Sequence, residues 1–290
     1  MTVDKHYFQN KTVIITGAGS GIGRALALAL APCDCNIVIC DIDNGALSET
    51  DAALNGVKSS KTTIFVESFD VADRSAWSDS LARIYNQFDS IDVLINNAGI
   101  EGSSLPAWAT TPQTLERVMS VNFYGMVNGS QLVLPYLAKS KQPALVNVSS
   151  VFGLIAVPNA ADYCASKFAI RGYTEALRAE LAQILPKIQV HLVHPGGIAT
   201  NIARSDYSQA FKQKFLSTSP QALAERILDG VTRNHSRIVY GNQSSKLKWA
   251  ARLLPLHWLN RLANNEIKQL NMTEAYTLEH PNLNLEKSNQ

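Results

Sequence analysis

The chain has little of what marks several protein classes. Its 290 residues include four cysteines, Cys33, Cys35, Cys40 and Cys164, none in the paired CxxC spacing that holds a metal. They fall in or beside stretches expected to be core, so reduced structural thiols follow and no metal site is expected. Nowhere do eighteen apolar residues run uninterrupted, which argues against a membrane-crossing helix. Basic residues exceed acidic ones by only two, too little to argue for a nucleic-acid partner. No basic-then-apolar leader follows Met1, and a cytoplasmic, soluble protein is the expectation. Internal repeats and low-complexity tracts are missing too, which excludes a repeat architecture. What is there is a hydrophobic fraction of 46%, enough for one large α/β core where length alone would allow two domains.

Near the start, Lys11-Thr-Val-Ile-Ile-Thr16 reads as a short apolar strand running into Gly17-Ala-Gly-Ser-Gly21-Ile-Gly23. Arg24 to Ala31, rich in alanine and leucine with no breaker before Pro32, reads as a buried helix packed on a sheet. Glycines in that turn let the backbone approach a pyrophosphate, whose charge is favoured by the unpaired N–H groups and dipole of the helix N-terminus. An ordinary strand-to-helix turn is the bland alternative. The next apolar strand, Cys35 to Cys40, ends in Asp41, about twenty residues after the turn, where a carboxylate can accept from adenosine ribose hydroxyls and repel a 2′-phosphate.

Further along, Tyr163 and Lys167 stand four apart in Tyr-Cys-Ala-Ser-Lys, with Ser150 thirteen positions upstream of the tyrosine. On a helix that spacing puts phenol and ammonium on one face. A free tyrosine has a pKa of about 10, so proton transfer at neutral pH needs help, and a sheltered lysine ammonium is a natural source of it. A half-buried tyrosine beside a solvated lysine is the bland reading of the same pair.

Taken in order, Thr16-Gly17-x-x-x-Gly21-x-Gly23, Asp70-Val71, Asn96-Asn97-Ala98-Gly99, Asn122, Ser150, Tyr163-x-x-x-Lys167 and Pro195-Gly196 leading to Thr200 make the chain resemble a short-chain dehydrogenase/reductase over roughly residues 8 to 240. The resemblance implies an α/β fold: a single doubly wound parallel sheet, Rossmann-like, flanked by helices, here with a helical C-terminal extension. Apolar strand candidates near 11–16, 35–40, 61–66, 91–95, 143–148, 188–193 and 236–240 support that fold independently. It also implies a catalytic tetrad. Tyr163 is the general acid or base, and Lys167 holds the ribose hydroxyls and lowers the phenol pKa. Ser150 hydrogen-bonds the substrate oxygen, with Ser149 as its rival, and Asn122 holds a relay water. Cofactor contacts are implied for Gly17, Ser20, Gly21, Ile22, Gly23, Asp41, Asp70, Val71, Asn97, Ala98, Gly99, Tyr163, Lys167, Pro195, Gly196, Ile198 and Thr200. His194 is expected to be structural.

With Asp41 present, and Ser20 and Ile42 where relatives preferring NADP carry a cation, NAD is expected over NADP. The implied activity is hydride transfer between nicotinamide and a secondary alcohol or ketone. The run Val193 to Asn201 and a basic tail are similar to bacterial members acting on lipophilic substrates. An NADPH-dependent 3-oxoacyl carrier-protein reductase is the main rival, and Asp41 argues against it. A non-catalytic dinucleotide-binding sensor or scaffold is the other, and the complete tetrad argues against that. A homodimer or homotetramer is implied.

Thr111-Pro112 and Ser219-Pro220 each pair an N-cap with proline at the first helical position, so helices should start there. Residues 1–242 form the expected dehydrogenase domain, with a substrate lid over 201–217. Residues 243–290 form an extension that is not an independent domain, ending in a polar tail from 270. In it Leu247, Ala250, Ala251 and Leu254 have helical spacing before Pro255, and Leu259, Leu262, Ala263, Ile267 and Leu270 share one face of a second helix. Packing of these helices on the parent domain or a second subunit is preferred to peripheral membrane contact through 246–270, which their cations, Trp249 and Trp258 also fit.

Overall fold

The structure, a computed structural model, describes residues 3–199 and 216–269. Seven strands form one parallel sheet: β1 (Thr12–Thr16), β2 (Asn36–Asp41), β3 (Thr63–Ser68), β4 (Val93–Asn96), β5 (Ala144–Val148), β6 (Gln189–Pro195) and β7 (Arg237–Tyr240), in the order β3-β2-β1-β4-β5-β6-β7. Each of the seven strand candidates of the sequence overlaps one of these strands, with ends no more than two residues apart. Because helices cover both faces, the central strands are apolar on both sides and read as continuous runs rather than alternations. Val13 and Ile15 of β1 enter one core cluster and Ile14 the other; Ile37 and Ile39 of β2 divide from Val38 and Cys40 in the same way.

The first face is covered by α2 (Gly21–Leu30), α3 (Asn44–Asn55) and α8 (Pro220–Thr232). The second is covered by α4 (Arg74–Phe88), α6 (Gly125–Leu137) and α7 (Ala161–Ile184), with α5 (Pro112–Met119) leading into α6. A short α1 (Lys5–Phe8) precedes β1. The two cap signals hold: Thr111 Oγ1 accepts from Thr114 N at 3.2 Å, and Ser219 Oγ from Ala222 N at 3.2 Å, each ahead of a proline. Between α5 and α6 the chain makes a π-helical turn, Ser120–Tyr124, with Asn122 at its centre. All four cysteines are buried and unpaired, and burial pushes the Cys33 and Cys35 thiols up to about 11 and 12, as inert thiols.

Strand order reverses between β1 and β4, and there the carboxyl ends of adjacent strands open a crevice, the usual ligand position in a doubly wound sheet. Past β7, α9 (Ser244–Leu253) packs on that strand and on the short turn Val151–Gly153, with Leu247, Ala250 and Ala251 half-buried. The following α10 (Leu256–Gln269) half-buries Leu259 and Ala263, but Leu262, expected on the packed face, is exposed. Among the described residues no helix is long and apolar enough to cross a membrane.

Candidate active site

At the end of β1 the backbone takes positive φ at Gly17 (+65°) and Gly21 (+51°), the region where a side chain is strained. A Cβ on Gly23 would lie 2.1 Å from the Gly17 carbonyl oxygen, so α2 can approach β1 this closely only with glycine there. The turn is laced to β4: Thr16 Oγ1 accepts from Asn97 N and Ala98 N, both at 3.0 Å, and Asn97 Nδ2 donates to Thr16 O at 2.9 Å. Ser20 is the N-cap of α2 yet makes no side-chain cap bond, which leaves the first N–H groups of the helix, from Gly21 to Gly23, to an incoming anion.

Asp41 closes β2 beside this turn, its Oδ2 accepting from Gly19 N at 2.9 Å and its Oδ1 from Asp43 N at 3.1 Å. Ile42 next to it is exposed. Arg24 is committed elsewhere, donating to Gly19 O at 2.6 Å, Thr50 Oγ1 at 2.9 Å and Glu49 Oε2 at 2.9 Å. Asp70 accepts from Ala72 N at 2.9 Å and pairs with Arg117 at 3.2 Å. Val71 is buried, its carbonyl fixed by Trp77 Nε1 at 3.0 Å. The cradle of glycines, an uncapped helix N-terminus and a flanking carboxylate together fit a dinucleotide.

A second group of side chains stands further along the crevice. Ser150 follows β5 and caps the turn Val151–Gly153, accepting from Phe152 N at 3.1 Å, and its side chain hydrogen-bonds the Tyr163 phenol. Ser149 is excluded from that position because its hydroxyl donates to Lys167 O at 2.8 Å. Tyr163 and Lys167 share a face of α7, with the ammonium 5.4 Å from the centroid of the phenol ring. Lys167 is buried and donates to Val148 O at 3.3 Å. Asn122, fully buried in the π turn, accepts from Ile100 N at 2.8 Å and donates to Ile100 O at 3.0 Å and Ser166 Oγ at 3.1 Å. A Cβ on Gly99 would lie 3.2 Å from Asn122 Oδ1 and 3.5 Å from Lys167 Nζ, so both groups border the same glycine.

The electrostatics differ from the sequence expectation. Desolvation lifts the Tyr163 phenol above the usual tyrosine range; the hydrogen bond to Ser150 opposes this, while Cys164 and Glu101 add to it. Burial pulls the Lys167 ammonium down to about 8. In the chain by itself each group is thus biased toward its neutral form, because the same exclusion of water penalises either charge.

Beyond β6, whose last residue is Pro195, Gly196 N donates to Tyr240 O at 2.8 Å, and a Cβ there would meet Asn242 O at 2.5 Å. Ile198 is buried and bridges Thr218. Thr200 and most of the expected lid, 200–215, lie outside the described residues. His194 sets Nδ1 2.7 Å from the Ser150 carbonyl oxygen, and burial pulls it down to about 4, so a neutral ring supports the serine's backbone. One residue escaped the sequence reading: Asp162, buried at 1% exposure, accepts from Ser103 N at 2.7 Å and Tyr163 N at 2.8 Å. It joins the loop after Gly99 to the start of α7. An acid directly before the tyrosine was its only signal.

Comparison with known proteins agrees with this geometry. A family model described as short chain dehydrogenase matches residues 11–210. The chain is similar to "Putative oxidoreductase SadH" of Mycobacterium tuberculosis, 35% identical over 257 residues that cover 85% of this chain and 92% of that protein. It is similar also to mouse dehydrogenase/reductase SDR family member 7B, 32% identical over 243 residues, covering 81% and 74%. Among solved structures, a short chain dehydrogenase/reductase from Burkholderia phymatum in complex with NAD has the same fold, with a TM-score of 0.77 at 23% identity over 91% of this chain and 96% of that one. The chain is an oxidoreductase and belongs to the short-chain dehydrogenase/reductase family.

Proposed function

We propose that the protein is an NAD-dependent alcohol dehydrogenase or carbonyl reductase, acting on a secondary alcohol or ketone of lipophilic character. The observation that carries the reading is the convergence of Ser150, Tyr163, Lys167 and Asn122 at the crevice whose other end is the glycine cradle and Asp41. Residues 1–242 are assigned to the dehydrogenase domain and 243–290 to its extension, and the subunit is expected to assemble as a homodimer or homotetramer.

Gly17, Ser20, Gly21, Ile22 and Gly23 would hold the pyrophosphate, Asp41 the adenosine ribose, Asp70, Val71 and Asn97 to Gly99 the adenosine, and Pro195, Gly196, Ile198 and Thr200 the nicotinamide carboxamide. Bound nicotinamide supplies or accepts the hydride, and in its oxidised form carries a positive charge. Tyr163 gives its phenol proton to the carbonyl oxygen in reduction and removes the hydroxyl proton in oxidation. Ser150 Oγ holds the same oxygen and stabilises the negative charge that develops on it. Lys167 holds the ribose hydroxyls and, once a further positive charge has offset the cost of burying a phenolate, favours that phenolate. Asn122 lines the path by which a water-borne proton reaches Lys167. Phe152, edge-on to Tyr163 with ring centroids 6.4 Å apart, sets an apolar ring beside the phenol. Replacing Tyr163 by Phe keeps the ring and removes the proton. Turnover should fall by about 10² to 10⁴-fold with NAD binding intact; a variant retaining more than about a tenth of turnover would remove Tyr163 from the acid/base role.

A further inference from the structure

The outward side of α9 and α10 is covered by no other described element. Trp249 is 53% exposed, Leu253 69%, Leu256 72%, Trp258 50% and Leu262 52%. Trp249 with Leu253, and Trp258 with Leu262, are each four apart and so form stripes along their helices. The inner side of α9 is already occupied by Leu247, Ala250 and Ala251, packed toward β7. The outer stripes are therefore surplus to the packing of the described residues.

Charge is concentrated in the same place. Residues 244–269 hold five Lys and Arg against a single Glu, whereas the whole chain has an excess of only two, so the remainder is net acidic. Lys246, Lys248, Arg252 and Arg261 pair with no carboxylate among the described residues. Lys248 instead lies 5.7 Å from the Trp249 ring, close enough to share its environment. On α9, helical spacing sets Lys246 and Arg252 on either side of the Trp249–Leu253 stripe.

We propose that this face is a peripheral docking surface for an anionic lipid bilayer. Indole rings favour the headgroup level, leucines enter the acyl boundary, and lysine and arginine stems lie along apolar surface while their heads stay with phosphates. A second copy of the chain fits less well: a two-fold contact through this face would set the same unpaired cations against themselves. Helix α9 also packs on the turn Val151–Gly153 that follows Ser150, so docking would place the crevice beside the membrane.

The full chain should cosediment with mixed phosphatidylcholine/phosphatidylglycerol vesicles and not with phosphatidylcholine alone. Binding should weaken as salt rises, with a blue shift of tryptophan emission. Lys246→Glu with Arg252→Glu should lower vesicle affinity at least about tenfold, and Leu253→Glu with Leu262→Glu should abolish binding. Both pairs should leave circular dichroism and turnover of a water-soluble alcohol unchanged. No binding to anionic vesicles at low salt would overturn the proposal, as would equal binding by both variants. A wild-type dimer made monomeric by Leu253→Glu with Leu262→Glu, without vesicle binding, would give the face to a second copy instead. Loss of alcohol turnover in Tyr163→Phe leaves this test untouched, so the two readings fail separately.

Discussion

Replacing Asp41 by alanine should remove most of the preference for NAD over NADP. The carboxylate closes β2 and holds Gly19 N through Oδ2 at 2.9 Å, which leaves its remaining lone pairs for the adenosine ribose. A hydrogen bond to a charged acceptor is worth about 1.5 to 3 kcal/mol. Loss of roughly 2 kcal/mol of ribose binding lowers kcat/KM for NAD by about thirtyfold. For NADP the same loss is offset by relief of repulsion between carboxylate and 2′-phosphate, about 1 to 4 kcal/mol at 4 Å between the limits of bulk water and a protein surface. The ratio of kcat/KM values, above about ten in the wild type, should therefore narrow by about fivefold or more, since about 1 kcal/mol of relieved repulsion is the lower limit. No described cation stands ready to take the phosphate instead, since Ile42 and Ser20 occupy the adjacent places and Arg24 is bound to Gly19 O and Glu49. Asp41→Asn separates the two duties of this side chain, keeping an acceptor for Gly19 N while removing the charge. The assay is kcat/KM for both cofactors at saturating alcohol. A wild type that prefers NADP, or an Asp41→Ala variant in which both cofactors weaken equally, refutes the reasoning.

Three further outcomes follow from the site. Alcohol oxidation should accelerate with pH through an apparent pKa below that of free tyrosine, and Lys167→Met should raise or abolish that limb; an unchanged limb in a variant that still binds NAD removes Lys167 from the proton chemistry. Ser150→Ala should lower turnover by about 10² to 10³-fold, with a stability cost no larger than that of a lost cap on the turn Val151–Gly153, about 0.5 to 2 kcal/mol. Ser149→Ala should instead leave turnover within about tenfold and destabilise the fold by about 0.5 to 1.5 kcal/mol, because it removes a buried hydrogen bond to Lys167 O, and a large loss of turnover confined to Ser149→Ala would exchange the two serines. Burial holds His191 and His194 down at about 4, below the ordinary 6.5, so the unfolded chain takes up their protons first. Stability should be full above about pH 6.5 and fall toward pH 4, by up to about 3 kcal/mol for each ring. His194→Asn should flatten that slope in urea titrations, and an unaltered slope would show that His194 is not buried neutral.

What could be read from the sequence is what chain neighbours impose. The strands were legible because a parallel strand covered on both faces is apolar throughout, as in Val13 to Ile15 and Ile37 to Cys40. The helix starts at Pro112 and Pro220 were legible because a cap is local. The cradle and the tetrad were legible because each motif is short, even where the side chains that meet are far apart in the chain. Other features depend on what the fold brings together. Asp162 acts on Ser103, fifty-nine residues away, and neither residue is distinctive alone. Ser149 and Ser150 are chemically equivalent until the alternation at the end of β5 sends one to the Lys167 carbonyl and the other to the phenol. Spacing also placed Lys167 correctly beside Tyr163, but not the depth at which both lie, and depth is what lifts the phenol and lowers the amine. The same holds for α10: its apolar arc is visible in the sequence, whereas the share left uncovered is fixed by where α9 docks on β7. Periodicity therefore identifies which residues can act together, and burial decides in which charge state they do so and which surface is left for another molecule.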